Sequence, residues 1–324
     1  MPYFMVQRIL QSVVVMLAMS LLVFIAVFMV GNPLELLISP DADQEIRAQT
    51  IALYGFDRPL YAQYLAFLGR LAHGDLGHSL VFNMPVLDLI LSRLPATLEL
   101  TLVAVLGAAI IGVPLGVYAG VRPGTIPARL IMACSIVGFS VPTFWIGLVL
   151  IYTFAISLGW LPAGGRGGTV AFLGIEWSVL TTNGWKHLLL PALNLSLFKL
   201  ALMIRLARAG TRETMLSDTV KFARATGQSE WTIIHNHVLR LISIPLVTVF
   251  GLELGSTLSF AVVTETIFSW PGLGKLIIDS IFSLDRPVMI AYLVLVAFLF
   301  ITINLVIDLA YVYLDPRARP AELS

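Results

Sequence analysis

The sequence predicts an all-α, polytopic membrane protein with six transmembrane helices and both termini in the cytoplasm. Three observations predict this fold class. Hydrophobic residues make up 58% of the 324-residue chain and charged residues only 12%, and the mean hydropathy is +0.91, so the composition is far more apolar than that of a soluble domain. The chain contains six apolar runs, each near the length of about 20 residues that a helix needs to cross a bilayer. The basic residues between these runs fall mainly on one side of the predicted membrane.

Each apolar run is interpreted as one span. The predicted spans are residues 9–30, 98–118, 130–158, 188–204, 244–268 and 288–310. The first run is longer than the core of a signal peptide and is not followed by a small-x-small cleavage site, so it is interpreted as a retained anchor. The single cysteine, Cys134, excludes an intrachain disulfide framework.

The spans divide the chain into four predicted regions. Residues 1–31 form an N-terminal tail and the first span, and residues 32–97 form an extracytoplasmic region of short helices. Residues 98–316 form a five-helix transmembrane core, and residues 317–324 form a cytoplasmic tail. The core includes a charged insert at residues 205–243, between the fourth and fifth spans.

The charges between the spans predict the orientation of the chain. If the N-terminus is cytoplasmic, the inner segments carry eleven basic and five acidic residues, whereas the outer segments carry eight basic and ten acidic residues. Cytoplasmic loops carry an excess of Lys and Arg. Both termini and the charged insert are therefore predicted to be cytoplasmic.

The charged insert has the pattern of two short helices joined by a turn. Gly227 is the predicted stop of the first helix, Ser229 the predicted cap of the second, and Glu230 favours its first turn. The residues expected on the apolar faces of the two helices are Met215, Leu216, Phe222, Ala223, Ile233, Ile234 and Leu239. The apolar face around Trp231, Ile233 and Ile234 is expected to be buried by a partner protein.

Small residues and prolines predict how the spans pack and bend. In the second span, small residues recur every fourth position, at Ala104, Ala108, Gly112, Gly116 and Gly120. Such a stripe allows two helix backbones to approach closely in lipid, and it is interpreted as a packing face rather than a pore lining. Pro142 and Pro191 are expected to bend the third and fourth spans.

Several polar residues lie within the predicted spans, where they are costly unless they face the bundle interior or a water-filled path. The candidates for a translocation pathway are Asn194, Lys199, Glu253 and Glu265. Glu253 lies deepest and is expected either to line the pathway or to pair with Lys199. Glu265 is expected to have a structural role at an outer gate.

The chain contains no recognisable ATP-binding or catalytic motif. The sequence GLGKL at residues 272–276 lacks the glycine spacing of a phosphate-binding loop and the Ser or Thr that would hold Mg²⁺. If a membrane protein of this kind moves a solute, the energy must therefore come from a partner or from an ion gradient. His235 and His237 alternate along a helix and do not predict a metal site.

A series of characteristic segments runs along the chain, in the order FDRPLYAQYL, HGDLGHSL, LPATLEL, GFSVPTFWIG, LGWLPAGGRGG, LLLPAL, FARATG, HNHVLRLISIPLVTVFG and TETIFSWPGLGKLIIDSI. In this order the segments resemble the permease subunits of ATP-binding-cassette (ABC) importers, in particular the B-type component of the dipeptide, oligopeptide and nickel branch. They cover nearly the whole chain. The resemblance implies a type I ABC importer fold in a bacterial inner membrane.

The resemblance also implies that the charged insert docks on a cytosolic ATPase. The family's Glu-Ala-Ala motif, with its Gly four positions after the second Ala, places Gly227 and Ala223 on matching positions, while Lys221 and Phe222 depart from it. The residues implied in ATPase coupling are Lys221, Phe222, Ala223, Arg224, Gly227, Ser229, Glu230 and Trp231. Arg224 and Glu230 can pair across an interface, and Trp231 can anchor one.

The partners implied by the resemblance are a second permease in a heterodimer, two ABC ATPases, an extracytoplasmic substrate-binding protein and membrane lipid. ATP and Mg²⁺ would be bound by the ATPases, with no cofactor in this chain, and no nucleic acid is implied. The expected substrate is a dipeptide or oligopeptide, and nickel chelates, glutathione and opines are alternatives of the same branch. A secondary transporter driven by protons or sodium remains a further alternative, although no inverted repeat is evident.

Overall fold

The structure is a computed structural model that describes residues 2–29, 44–45 and 58–314. These parts of the chain are mainly helical. The helices are α1 Pro2–Met29, α2 Leu60–Ala72, α3 Val86–Val121, α4 Ile126–Ser140, α5 Thr143–Leu150, α6 Thr182–Met215, α7 Asp218–Ala225, α8 Glu230–Ile233, α9 Leu239–Phe260, α10 Val262–Ile267, α11 Leu273–Phe282 and α12 Arg286–Leu314. Two π-helical segments, Ile151–Ser157 and Ile234–Val238, extend α5 and connect α8 to α9. Strands β1, Val170–Phe172, and β2, Ile175–Trp177, form an antiparallel hairpin.

The described residues contain five helices that are long and apolar enough to cross a membrane, and a bent pair that makes a sixth span if it is counted as one. The five are Ile9–Val27, Val86–Val121, Thr182–Met215, Glu230–Leu258 and Arg286–Ile307. The bent pair is Ile126–Ser140 with Thr143–Ser157. The predicted six spans therefore correspond one for one to these elements. Residue 30, at the end of the first predicted span, lies outside the described residues.

The predicted third span, residues 130–158, is a bent pair of helices whose two halves meet at an angle of 105°. The cause is local, because Pro142 disfavours the helical conformation in the residue that precedes it, and Val141 is accordingly extended at φ −89° and ψ 133°. The expected effect of Pro142 is thus present and is much larger than a bend. Pro191, by contrast, lies inside the continuous helix α6.

Several helices extend beyond the apolar runs that predicted them. Helix α3 begins at Val86, and α6 begins at Thr182, where the Thr181 hydroxyl accepts a hydrogen bond from the backbone N–H of Gly184 at 2.8 Å. Hydropathy marks the membrane-embedded part of a helix, whereas its ends depend on capping residues.

The chain divides into two compact units, which are described separately. The first comprises Met1–Thr97 and Pro271–Ile301. In this unit, α2 packs on α1 through Phe24, Tyr64 and Phe67. The helix α2 is one of the short helices expected in the extracytoplasmic region, and residues 32–43 and 46–57 of that region lie outside the described residues.

The second unit comprises Leu98–Trp270 and Thr302–Ser324, and in it the small residues of α3 pack against α6. A Cβ atom built on Gly116 would lie 2.5 Å from the carbonyl oxygen of Ile204 and 2.7 Å from Ala207 Cβ. A Cβ atom on Gly120 would lie 2.7 Å from Thr211 Cβ. The predicted packing face is therefore confirmed, because any larger residue would separate the two helices.

Candidate coupling site and intramembrane polar residues

The first helix of the charged insert, α7, is defined by caps at both ends. At its start the Ser217 hydroxyl accepts a hydrogen bond from Val220 N at 3.4 Å. At its end the N–H of Gly227 bonds to Arg224 O at 3.0 Å, and the N–H of Gln228 bonds to Ala223 O at 3.1 Å. This pair of bonds is a Schellman motif, which requires a left-handed residue at the position of Gly227. Gly227 has φ +81°, so its predicted role as the stop of this helix is confirmed.

The second helix of the insert, α8, begins at the residue that the sequence predicts. The Ser229 hydroxyl accepts a hydrogen bond from Thr232 N at 3.2 Å, and Glu230 occupies the first turn. The helix does not end in a loop. It continues through the π-helical segment Ile234–Val238 into α9, so the second half of the insert and the fifth span form one uninterrupted helical element.

A small apolar core holds α7 against α8. Val220, Ala223 and Ile233 are almost completely buried and pack together, with Met215 beside them. Two parts of the sequence interpretation are wrong here. Phe222 and Leu216 are exposed instead of contributing to this face, and Ile233 is buried by its own chain instead of by a partner. The spacing of apolar residues could not separate these cases, because Val220 and Phe222 lie on different faces of α7.

Two large aromatic side chains remain on the surface of the insert. Phe222 on α7 is 71% exposed and Trp231 on α8 is 76% exposed. The Trp231 ring stacks on the His235 ring, with the centroids 6.4 Å apart. The capped turn sets the ends of the two helices that carry these rings, and neither ring contributes to the core of the chain.

Charged residues surround the two aromatic side chains. Arg224 and Glu230 form a two-bonded ion pair across the Gly227 turn, with Nε to Oε1 at 2.8 Å and Nη2 to Oε2 at 3.2 Å. The hydrogen bonds from Arg224 lower the pKa of the Glu230 carboxyl below its usual value. Lys221 pairs with Asp218 at 2.8 Å on the same helix. The insert therefore presents aromatic rings and paired charges of both signs.

The insert is joined to the spans by a second apolar core. Val238 and Ile242, at the junction of the π-helical segment and α9, pack with Val117 of α3 and with Met203 and Ala207 of α6. Through these contacts a displacement of α8 would reach three spans.

Within the spans, the structure brings the four predicted polar residues into two groups. Lys199 Nζ lies 3.7 Å from Glu253 Oε2, so the expected pairing is present. Asn194 is buried and donates a hydrogen bond from Nδ2 to Thr264 Oγ1 at 3.1 Å. Glu265, next to Thr264 on α10, is completely buried. Whether any of the four lines a pathway stays a prediction.

A buried charge cluster at the start of the second predicted span was not predicted from the sequence. Glu99, whose side chain is fully buried, accepts hydrogen bonds from Ser178 N at 2.5 Å and Ser178 Oγ at 2.6 Å, and Arg166 Nη2 lies 3.2 Å from its Oε2. This cluster attaches the loop around the β-hairpin to α3. Its only sequence signal was an isolated glutamate at the edge of an apolar run, because its partners lie 67 and 79 residues away.

Comparisons with known proteins agree with this architecture. The family described as binding-protein-dependent transport system inner membrane component matches residues 112–320, and the N-terminal region of the same kind of component matches residues 1–101. Among solved structures, an inward-facing MetNI methionine ABC transporter is similar with a TM-score of 0.57 and 19% sequence identity, covering 71% of this chain and 97% of that chain. At this identity the likeness concerns the fold.

Curated relatives are similar over most of their length. The Di/tripeptide transport system permease protein DppB of Pseudomonas aeruginosa (strain UCBPP-PA14) is 39% identical over 302 residues, which cover 89% of this chain and 90% of the relative. The Oligopeptide transport system permease protein AppB of Bacillus subtilis (strain 168) is 38% identical, covering 98% of this chain and 99% of the relative. The Glutathione transport system permease protein GsiC of Escherichia coli (strain K12) is 36% identical, covering 98% of both chains. The chain therefore belongs to the binding-protein-dependent transport system inner membrane components, and it is a permease subunit of an ABC importer of the bacterial inner membrane.

Proposed function

We propose that this chain forms half of the translocation pathway of an ATP-driven importer of peptides. The relatives named above are permeases for di- and tripeptides, oligopeptides and glutathione, which share peptide-like chemistry. The other half of the pathway is a second, different permease. Two ATPase subunits bind ATP and Mg²⁺, and an extracytoplasmic binding protein delivers the substrate.

The charged insert is the proposed contact with an ATPase subunit. The exposure of Phe222 and Trp231, on the two helices that flank the capped Gly227 turn, carries this proposal. Aromatic side chains are typical anchors of protein interfaces, and burial of each contributes about 2 kcal/mol relative to exposure to water. The surrounding charges, Lys221, Arg224 and Glu230, supply a polar rim, which gives specificity more than affinity.

The orientation of the chain supports the same contact. The excess of basic residues predicts that the insert and both termini face the cytoplasm, where ATP is available. Closure of the ATPases would displace α8, and the contacts of Val238 and Ile242 with α3 and α6 would carry that displacement to the spans.

The pathway itself is proposed to pass near Glu253. Among the four polar candidates, Glu253 is the most accessible, with a side chain that is 17% exposed, and Lys199 beside it is 9% exposed. Asn194 and Glu265 are completely buried within the chain, and the hydrogen bond from Asn194 to Thr264 supports a role for Asn194 in holding α6 and α10 together.

The contact with the ATPase is tested by matched aromatic substitutions in the reconstituted transporter. Phe222→Ala and Trp231→Ala are each expected to weaken ATPase association by about thirtyfold, the equivalent of about 2 kcal/mol. The controls are Phe282→Ala and Trp160→Ala, which remove rings that are 85% and 66% accessible and that lie on the opposite side of the membrane in the predicted orientation. Equal association of all four variants would exclude the insert as the docking site.

The energy source and the substrate are tested by uptake into proteoliposomes. We expect uptake of a dipeptide or longer peptide to require the binding protein and internal ATP, and to persist when an uncoupler removes ion gradients. Glutathione and a nickel chelate are the competing substrates. Uptake that stops with the uncoupler and continues without ATP would instead indicate a secondary transporter.

A further inference from the structure

A cavity of about 300 Å³ lies where α3 ends and α4 begins, and the proposed function does not use it. Its walls are largely apolar and include Ala119, Pro123, Met132 and Ile136. Two cationic side chains, Arg129 of α4 and Arg208 of α6, complete the lining. An apolar cavity with two guanidinium groups fits a ligand that carries both an anionic group and an apolar part.

Neither of the two arginines has an acidic partner within the part of the chain that the structure describes. The ion pairs within the described part of the chain involve other side chains than Arg129 and Arg208. Glu213, which lies on the same helix as Arg208, is not a member of any of these pairs. Two further arginines at this end of the spans contact aromatic rings instead of carboxylates. Arg122 lies over Tyr118 at 5.9 Å, and Arg205 lies over Phe139 at 4.4 Å. This end of the helices therefore has positive charge that is not neutralised within the described structure.

The position of the cavity favours a lipid over a soluble anion. The cavity opens at the level where two apolar spans end, at Val121 of α3 and Ile126 of α4. Next to it, Leu130 and Val137 of α4 are each about 60% exposed, so this side of α4 is suited to contact acyl chains. A soluble anion would use the arginines but would gain nothing from the apolar wall. We propose that this cavity binds one anionic phospholipid, with its phosphate at Arg129 and Arg208 and its glycerol end and upper acyl chain along α4.

The predicted orientation is consistent with this ligand. The positive-inside distribution of charge places Arg129 and Arg208 at the cytoplasmic leaflet, whose anionic lipids attract basic residues close to the membrane. Arginine is well suited to the site, because its planar guanidinium binds a phosphate through two parallel hydrogen bonds. The bound lipid would fill the space between the α3–α4 turn and α6, and so would stabilise their packing.

The site is tested by lipid retention in the complete transporter. The complex is purified in a mild detergent, supplied with phosphatidylglycerol or phosphatidylcholine, and analysed by native mass spectrometry. The wild type is expected to retain one phosphatidylglycerol per copy of this chain and to release phosphatidylcholine. Arg129→Gln combined with Arg208→Gln is expected to weaken phosphatidylglycerol retention at least about tenfold, the effect of two charges near the surface.

Further variants distinguish binding of the lipid inside the cavity from its attraction by general surface charge. Ala133 also lines the cavity, so Ala133→Trp places an indole there without changing charge and is expected to release phosphatidylglycerol as strongly as the double arginine variant. Ile110→Trp on α3, where the side chain is 70% exposed and does not line the cavity, and Arg240→Gln outside the cavity are expected to retain it. The pair Arg129→Lys and Arg208→Lys keeps the charge and is expected to retain most of the lipid, which provides a folded control if the glutamine variant fails to assemble.

Three results would overturn the proposal. The first is equal retention of the two lipids by the wild type. The second is retention of phosphatidylglycerol by the Ala133→Trp variant, which would show that only surface charge attracts it. The third is displacement of the lipid by soluble glycerol phosphate at millimolar concentration, which would indicate a site for free phosphate. If this chain alone retains the lipid but the complete transporter does not, the second permease occupies the cavity, and the proposal is equally wrong.

Discussion

Lys199 of α6 and Glu253 of α9 form an ion pair within the spans, with Nζ 3.7 Å from Oε2 and both side chains mostly buried. Ser256 lies at hydrogen-bonding distance from the same carboxylate oxygen, 3.5 Å away. The attraction within a buried pair offsets the large cost of removing two charges from water, so the pair matters most when one partner is lost.

Removing one charge of this pair should destabilise the chain more than removing both. Lys199→Met or Glu253→Gln is expected to cost about 3 kcal/mol or more, whereas the double variant Lys199→Met with Glu253→Leu should recover most of that loss. Thermal unfolding of the purified chain measures the three effects. Uptake by the stable double variant then separates the two roles of Glu253. If Glu253 only pairs with Lys199, uptake returns with stability. If Glu253 also lines the pathway, uptake stays low although stability is restored. Single variants that are as stable as the wild type would contradict an ion pair between Lys199 and Glu253.

Gly227→Ala should weaken ATPase coupling through the backbone alone. A Cβ atom at Gly227 would meet no other atom within 4 Å, but φ is +81°, and the left-handed conformation costs a non-glycine residue about 1–2 kcal/mol. We expect the variant to hydrolyse ATP with reduced coupling to uptake. Gly74→Ala is the matched control, since Gly74 has φ +76° and an equally open environment outside the insert. The same loss of coupling in both variants would exclude a specific role for the Gly227 turn.

Gly116→Ala should disturb the packing of α3 on α6. The added methyl group would overlap Ile204 O and Ala207 Cβ, and overpacking of this kind costs about 1–3 kcal/mol. The expected result is a lower melting temperature and slower uptake. Gly107→Ala on the same helix is the control, because no atom lies within 4 Å of its added Cβ. An equal shift in the two variants would show that the effect comes from helix propensity instead of close packing.

The Arg224–Glu230 pair should contribute little at neutral pH and nothing in acid. Arg224 lowers the pKa of the Glu230 carboxyl through its hydrogen bonds, so the stabilisation is complete above the usual glutamate pKa of about 4.3 and is lost as the pH falls through the lowered value. Both side chains are about half exposed, which limits the effect to less than about 1 kcal/mol. Amide hydrogen exchange in residues 218–233 of the wild type and of Glu230→Gln measures it. The difference in local stability between the wild type and Glu230→Gln should be constant between pH 6 and pH 8. A difference that grows in acid would contradict the lowered pKa of the Glu230 carboxyl.

The spans and the turn of the insert could be predicted because their determinants are local. Hydropathy over about 20 residues identifies a span, and the small residues at Gly116 and Gly120 identify a packing face. Gly227 and Ser229 mark a turn through backbone conformation and capping, which depend on a few neighbouring residues.

The remaining features depend on contacts that are distant in sequence. The apolar pattern of α7 did not reveal that Val220 is buried and Phe222 exposed, because a helix of eight residues has apolar side chains on more than one face. Arg166 could not be assigned to Glu99 across 67 residues. The sequence also indicated a bend at Pro142 without its size, since the angle depends on where α4 and α5 pack.

The two halves of the insert are joined to the membrane in different ways. Helix α7 is separated from α6 by a capped break at Leu216 and Ser217, whereas α8 runs into α9 as a single element from Glu230 to Leu258. That element is about 43 Å long at 1.5 Å per residue. In the proposed coupling, an ATPase would displace this element at its α8 end, whereas α7 is attached through the separate break at Leu216 and Ser217. The π-helical segment Ile234–Val238 lies between Trp231 and Glu253, and a change of winding there by one residue would turn a displacement at Trp231 into rotation as well as translation at Glu253.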